Sequence, residues 1–132
     1  MFSSDFQTPD FSLKRNGRKI TNVRCRMMED IVLLETMKCL PKNKRAFKLY
    51  LSREEFDMAV YDRQTDTLEE YEVKHSTRRV PEQTRTMLDD ELNREVTAKY
   101  GHVSKRCVIY QGESCHESQI VYLNVQEYLK SL

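Results

Sequence analysis

Glycine is scarce in this chain: Gly17, Gly101 and Gly112 are the only three in 132 residues. No Walker A loop and no G-x-G-x-x-G turn can be assembled from them, so no nucleotide site of either kind is expected in this chain. Cysteine is limited to Cys25, Cys39, Cys107 and Cys115, and no C-x-x-C pair occurs. Adjacent Cys115 and His116 make a poor start for a zinc site, because neighbours rarely aim at one metal. Cys25 and Cys39 fall on one predicted helix, about 21 Å apart at the helical rise, too far to pair. This usage predicts reduced thiols and a cytoplasmic protein. No apolar run approaches the roughly 20 residues of a membrane span. The polar start MFSSDFQTPD predicts no signal peptide. A net charge of +1 excludes a global field for nucleic acid or membranes, so any such surface must be a local patch. No serine sits in a nucleophile elbow, and His75, His102 and His116 suggest no triad.

What is present suits one domain around one core. Residues 1–21 read as a polar tail or the remnant of an upstream segment, and residues 22–132 as the domain. A helix is predicted over 22–39, closed by Pro41, with Val23, Met27, Ile31 and Leu34 as one apolar stripe. Met28, Val32, Leu33 and Met37 widen that surface. Glu29 projects with Val32, Leu33 and Thr36, not onto a wide polar face. A strand is predicted over 45–51, followed by a hairpin. A second helix is predicted over 80–100, with Pro81 in its first turn, Thr84, Met87, Leu88, Leu92 and Val96 buried, and Gly101 as its stop. Strands over 106–111 and 119–123 follow. Asn124 then caps a last helix, with Glu127 as its capping-box partner. The run Cys107 to Tyr110 is apolar on both faces, as in a parallel sheet. A helix between the third and fourth strands supplies the crossover that parallel pairing requires. The expected fold is α/β, with a three-layer α/β/α arrangement, a mixed central sheet and the order α-β-β-β-α-β-β-α.

The hairpin EEFDMAVYDRQTDTLEEYEVKHS carries the chemistry. Residues two apart on a strand share a face, so Glu72 and Lys74 point together. On the first strand Phe56, Met58 and Val60 are expected on one face, and Asp57, Ala59 and Tyr61 on the other. With the turn centred on 63–66, Asp57 falls opposite Glu72. Two carboxylates and an ammonium then converge, with room for a hard cation between the acids. Mg²⁺ takes one or two carboxylates and keeps several waters. Such a site suits phosphodiester hydrolysis, with the lysine orienting water or stabilising charge on phosphorus. Spacing of the form D-x14-E-x-K also arises by chance in a chain that is 33% charged, where it gives a salt-bridged cross-strand face.

The element order, with D…E-x-K on the second and third strands, resembles the PD-(D/E)XK nuclease superfamily, of restriction-endonuclease-like fold. In that resemblance Asp57, Glu72 and Lys74 take the motif positions. Glu29, in RMMEDIVLLET, takes that of the extra acid on the first core helix. Gln83 is similar to the glutamine of the RecB-like branch. The chain departs from the family pattern in having Phe56 before the aspartate and Met87 where a tyrosine stands four residues after the glutamine. The phrases EDIVLLET, EEFDMAVYD, YEVKHS, PEQTR and VIYQGES are similar to C-terminal, nuclease-like domains of bacterial AAA-type predicted ATPases.

The resemblance implies Mg²⁺ or Mn²⁺ held by Asp57 and Glu72, a catalytic quartet of Glu29, Asp57, Glu72 and Lys74, and DNA as substrate. Gln83 would join in binding substrate, and the basic cluster nearest the acids, Arg78, Arg79 and Arg85, is expected to contact phosphates, with Lys48 as a further contact. An ATPase domain outside this chain would be the partner. Two other readings stay open. One is a catalytically inactive regulatory or binding module attached to the ATPase. The other is an interaction domain that forms a homo-oligomer through apolar residues of 120–132.

Overall fold

The computed structural model describes residues 17–79 and 84–132, with side chains from residue 26 onward. Helix α1 spans Gly17–Cys39. It begins before Asn22, so the boundary expected between residues 21 and 22 lies inside the helix. Its buried stripe is also rotated from the expected one. Val32 and Thr36 are fully covered and Met28 and Leu33 pack beside them, whereas Leu34 faces solvent. The helix is apolar around so much of its girth that periodicity alone does not fix which edge meets the sheet. The Thr36 hydroxyl, bonded to the Val32 carbonyl at 2.7 Å and to the Tyr128 hydroxyl at 2.6 Å, marks the inner edge.

Strands β1 (Lys44–Tyr50), β2 (Glu55–Asp62) and β3 (Thr67–Val73) form an antiparallel meander. The β2–β3 register pairs Met58 with Tyr71 and Asp62 with Thr67, which is the register read from the turn. Side-chain alternation along β2, by contrast, breaks. Phe47 pairs with Ala59 and Leu49 with Phe56, so β2 carries an extra residue in a β-bulge. As a result Phe56 joins Ala59 on one face, and Met58 and Val60 lie on the other. The expected grouping of Phe56 with Met58 and Val60 is therefore corrected.

Helix α2 spans Asp90–Tyr100, not 80–100. Asp89 intercepts the helix by accepting a bond from the Leu92 amide, and a carboxylate at that position is a better cap than an interior residue. Residues 84–88 make a separate turn, closed by the Leu88 amide on the Thr84 carbonyl. Thr84, Met87, Leu92 and Val96 are buried as expected, but Leu88 is exposed. Pro81, Glu82 and Gln83 lie outside the described residues. Gly101 ends the helix at φ +102°, with its amide on the Thr97 carbonyl, and any Cβ there would collide with the Asp66 carbonyl.

Strands β4 (His102–Tyr110), β5 (Cys115–Glu117) and β6 (Ile120–Asn124) complete a six-stranded mixed sheet of order β1-β2-β3-β4-β6-β5. β4 lies parallel to both β3 and β6. Helix α2 makes the crossover between β3 and β4, and Cys107 to Tyr110 are buried on both faces, as the pattern predicted. The short edge strand β5 was not legible in the sequence. The last helix, α3 (Val125–Ser131), is capped by the Asn124 side chain, which accepts from the Gln126 and Glu127 amides. Glu127 does not return to the Asn124 amide as a capping box would. Ser114 relays between them: its hydroxyl donates to Glu127 and accepts from the Asn124 amide.

Two cores result. Leu49, Phe56, Ala59 and Leu68 pack with Met87 and Val96 of the α2 side. Met58, Val60, Tyr71, Val73 and Ile109 pack with Val32 of α1 and Tyr128 of α3. The sheet thus has helices on both faces. Ile120, Tyr122 and Tyr128 are buried in these cores, whereas Val121, Leu123, Val125 and Leu129 are partly covered and Leu132 is exposed. Among the described residues, no helix is long and apolar enough to cross a membrane.

Candidate active site

The β2–β3 backbone ladder stops at Met58 and Tyr71. Beyond it, side chains take over the pairing. The Asp57 carboxylate accepts from the Val73 amide at 2.7 Å, and the Glu72 carboxylate accepts from the Asp57 amide at 3.3 Å. Each acid therefore caps an amide of the opposite strand, which is why both are held at the open mouth of the hairpin. The bulge next to Asp57 is what aims it there.

Two further groups join them. Lys74 follows β3 and is anchored by its amide on the Ile109 carbonyl of β4 at 2.8 Å. Its ammonium lies 3.4 Å from Glu72 Oε2 and is 39% exposed, whereas Glu72 is only 12% exposed. Glu29 reaches in from α1, near enough for the Asp57 carboxylate to act on its titration. Glu29, Asp57, Glu72 and Lys74, picked out on the sequence, are thus brought together from three elements. The half-burial of Glu29 matches its projection beside Val32, Leu33 and Thr36.

The electrostatics are those of a cluster with too much negative charge. Burial, and then the Asp57 charge, push Glu72 up to about 7, against the pull of Lys74 and the Asp57 amide. Glu29 is also pushed up to about 7, by burial and then by the Asp57 carboxylate, against Lys48 and Lys74. Hard oxygen donors short of a counter-charge suit a hard divalent cation. Among the described residues, no three His, Cys, Asp or Glu side chains are gathered so as to hold a metal by themselves. The fit therefore rests on the Asp57 and Glu72 pair with water filling the remaining positions, which is the usual manner of Mg²⁺.

The basic residues are arranged less simply. Arg78 and Arg79 are exposed on the segment after Lys74, and Arg85 is exposed in the turn before α2. Arg79 is turned toward β5: it donates to Cys115 Sγ at 2.6 Å, lies 3.7 Å from Glu117 and stands over the Tyr122 ring at 6.0 Å. This segment is pinned by the Gln111 amide on the Ser76 carbonyl and by the close approach of Gly112 to the Thr77 carbonyl. Gln83 lies outside the described residues.

One charged group beside the site was missed. Glu70 is the residue two before Glu72 and shares its face, but it is fully buried, and neither of its carboxylate oxygens has a hydrogen-bond partner. Arg106 of β4 lies 3.7 Å away through Nε, while its Nη2 holds Asn93 of α2 at 3.2 Å. Burial pushes Glu70 up to about 7 despite Arg106. The E-x-E-x-K run was the available signal. Comparison of the chain with models of known families, with curated proteins and with solved structures finds no match.

Proposed function

We propose that this chain is a nuclease-like domain that hydrolyses phosphodiester bonds in DNA with Mg²⁺ or Mn²⁺. In this reading its α/β sheet is of the restriction-endonuclease-like kind, and the domain serves a larger AAA-type ATPase. The observation that carries the reading is the meeting of Glu29, Asp57, Glu72 and Lys74 at the hairpin mouth.

Asp57 and Glu72 would hold the cation, and Glu29 would support it or its water shell through Asp57. When bound, such a cation polarises a phosphate oxygen and lowers the pKa of water. Lys74 is tethered to Glu72 yet open to solvent, so it can donate to an incoming water or to charge building on phosphorus. Arg78 and Arg85, both exposed, would supply cations for the DNA backbone, whereas Arg79 is held toward β5 by Cys115 and Glu117.

The test is Mg²⁺-dependent nicking of supercoiled DNA, together with calorimetric titration of Mg²⁺ or Mn²⁺. Wild type should nick, and Lys74→Ala should lose on the order of 10²-fold or more of the rate. Asp57→Asn with Glu72→Gln should lose metal binding. Absence of metal binding that depends on these two acids would sink the proposal. Metal binding without cleavage of supercoiled, linear or branched DNA would assign the chain to a non-catalytic module instead.

A further inference from the structure

Lys48 lies in the middle of β1, between the pairs Phe47–Ala59 and Leu49–Phe56. Two residues of β2 intervene between those pairs, Asp57 and Met58, and only Lys48 faces them. The bulge that aims Asp57 into the site therefore sets Lys48 across from it. Alternation places Lys48 on the face of Ala46, which packs in the core covered by α1, and that is the face from which Glu29 enters. Lys48 is exposed, unlike its buried neighbour Leu49. Its charge is felt at Glu29 together with that of Lys74. The carboxylates are thus flanked by two cations: Lys74 beside Glu72 at the end of β3, and Lys48 at the β1 flank beneath α1.

We propose that Lys48 is a substrate-binding cation that takes a backbone phosphate of the DNA strand on the α1 side of the carboxylates, so that the strand passes between Lys48 and Lys74. This deepens, and rests on, the reading of the site as DNA-directed. Edge position supports it: among the described residues β1 ends the sheet, so no described strand lies beyond Lys48. Chemistry supports it too. An ammonium on a flexible stem contacts phosphate as a point charge, and each such contact releases counter-ions. Lys48 and Lys74 then have separate duties. Lys74 sits at the acids and bears on the chemical step, whereas Lys48 binds ground state and transition state alike.

The experiment compares wild type, Lys48→Met and Lys48→Arg. Binding to a fluorescein-labelled DNA duplex is followed in Ca²⁺ across a salt series, and cleavage of the duplex is followed in Mg²⁺. Losing one phosphate contact should make the slope of log K against log[salt] less steep by about 0.9. The binding deficit of Lys48→Met should therefore shrink about threefold between roughly 50 and 200 mM salt. KM should rise with kcat unchanged, the signature of lost uniform binding. Lys48→Arg should restore the slope. A Lys48→Met variant with wild-type slope and KM would reduce Lys48 to a counter-ion of Glu29 and overturn the inference alone. Absence of salt-dependent binding by wild type would overturn the DNA-directed reading and this inference with it.

Discussion

Replacing Glu70 by glutamine should stabilise the protein at alkaline pH and leave it unchanged at acid pH. Glu70 is 0% exposed and both its oxygens lack hydrogen-bond partners. Its carboxyl is raised from 4.5 to about 7 by burial, with Arg106 opposing. A raised carboxyl binds protons more tightly in the folded chain than in the unfolded one. Stability therefore falls as pH climbs from about 4.5 to about 7, and the full loss persists above that window. At 1.36 kcal/mol per pK unit the loss is about 3 kcal/mol.

Glutamine has nearly the same shape and no charge to bury, so it escapes this cost. Against that stands the loss of a charged partner for Arg106. Arg106 is 20% exposed and keeps its bond to Asn93 through Nη2, although its buried Nε has no hydrogen-bond partner. The pull of Arg106 already opposes burial in setting the Glu70 value, so it is not subtracted again. The gain should be about 3 kcal/mol near pH 8 and under about 1 kcal/mol near pH 5. Urea unfolding of wild type and Glu70→Gln across that pH range reads the difference directly, because the contributions of Glu29 and Glu72 are common to both proteins. In a thermal melt the gain corresponds to about 12 °C. A variant destabilised increasingly as pH rises would refute the reasoning, because it would mean that the Glu70–Arg106 contact outweighs the desolvation of the acid.

Two further predictions concern packing and capping. Gly112→Ala should cost about 1–3 kcal/mol in urea unfolding, because a Cβ there would stand 2.6 Å from both the Thr77 carbonyl and the Tyr110 ring; a wild-type midpoint would show that the two segments part without cost. Asn124→Ala should cost about 1 kcal/mol through loss of the α3 cap. Asn124→Asp should recover only part of that, since it keeps the acceptor but loses the donor to the Gly112 carbonyl at 2.9 Å; full recovery would assign the whole effect to the cap.

The hairpin was legible because its register is set by a turn whose length can be counted, and the approach of Asp57 to Glu72 followed from it. The crossover helix, and the burial of Cys107 to Tyr110 on both faces, followed from element order and apolar runs. The bulge was not legible. Nothing local marks the extra residue, and only the pairing of β2 with β1 reveals that Phe56 and Met58 part company. The start of α2 was misplaced because residues 84–88 carry a helix-like apolar spacing that the Asp89 cap overrides. Likewise, the spacing of Glu127 after Asn124 predicts a capping box, but Ser114, distant in sequence, takes the place of the direct bond. Glu70 was passed over because a strand of alternating charge reads as a solvated face until the helix above it is placed.

At the mouth of the hairpin, the bonds from Asp57 to the Val73 amide and from Glu72 to the Asp57 amide do two jobs. They finish the pairing of the strands, and they fix the rotamers of the two acids. The conformational entropy of both side chains is therefore surrendered when the chain folds. A ligand that meets them need not order them, and its affinity is spared that loss.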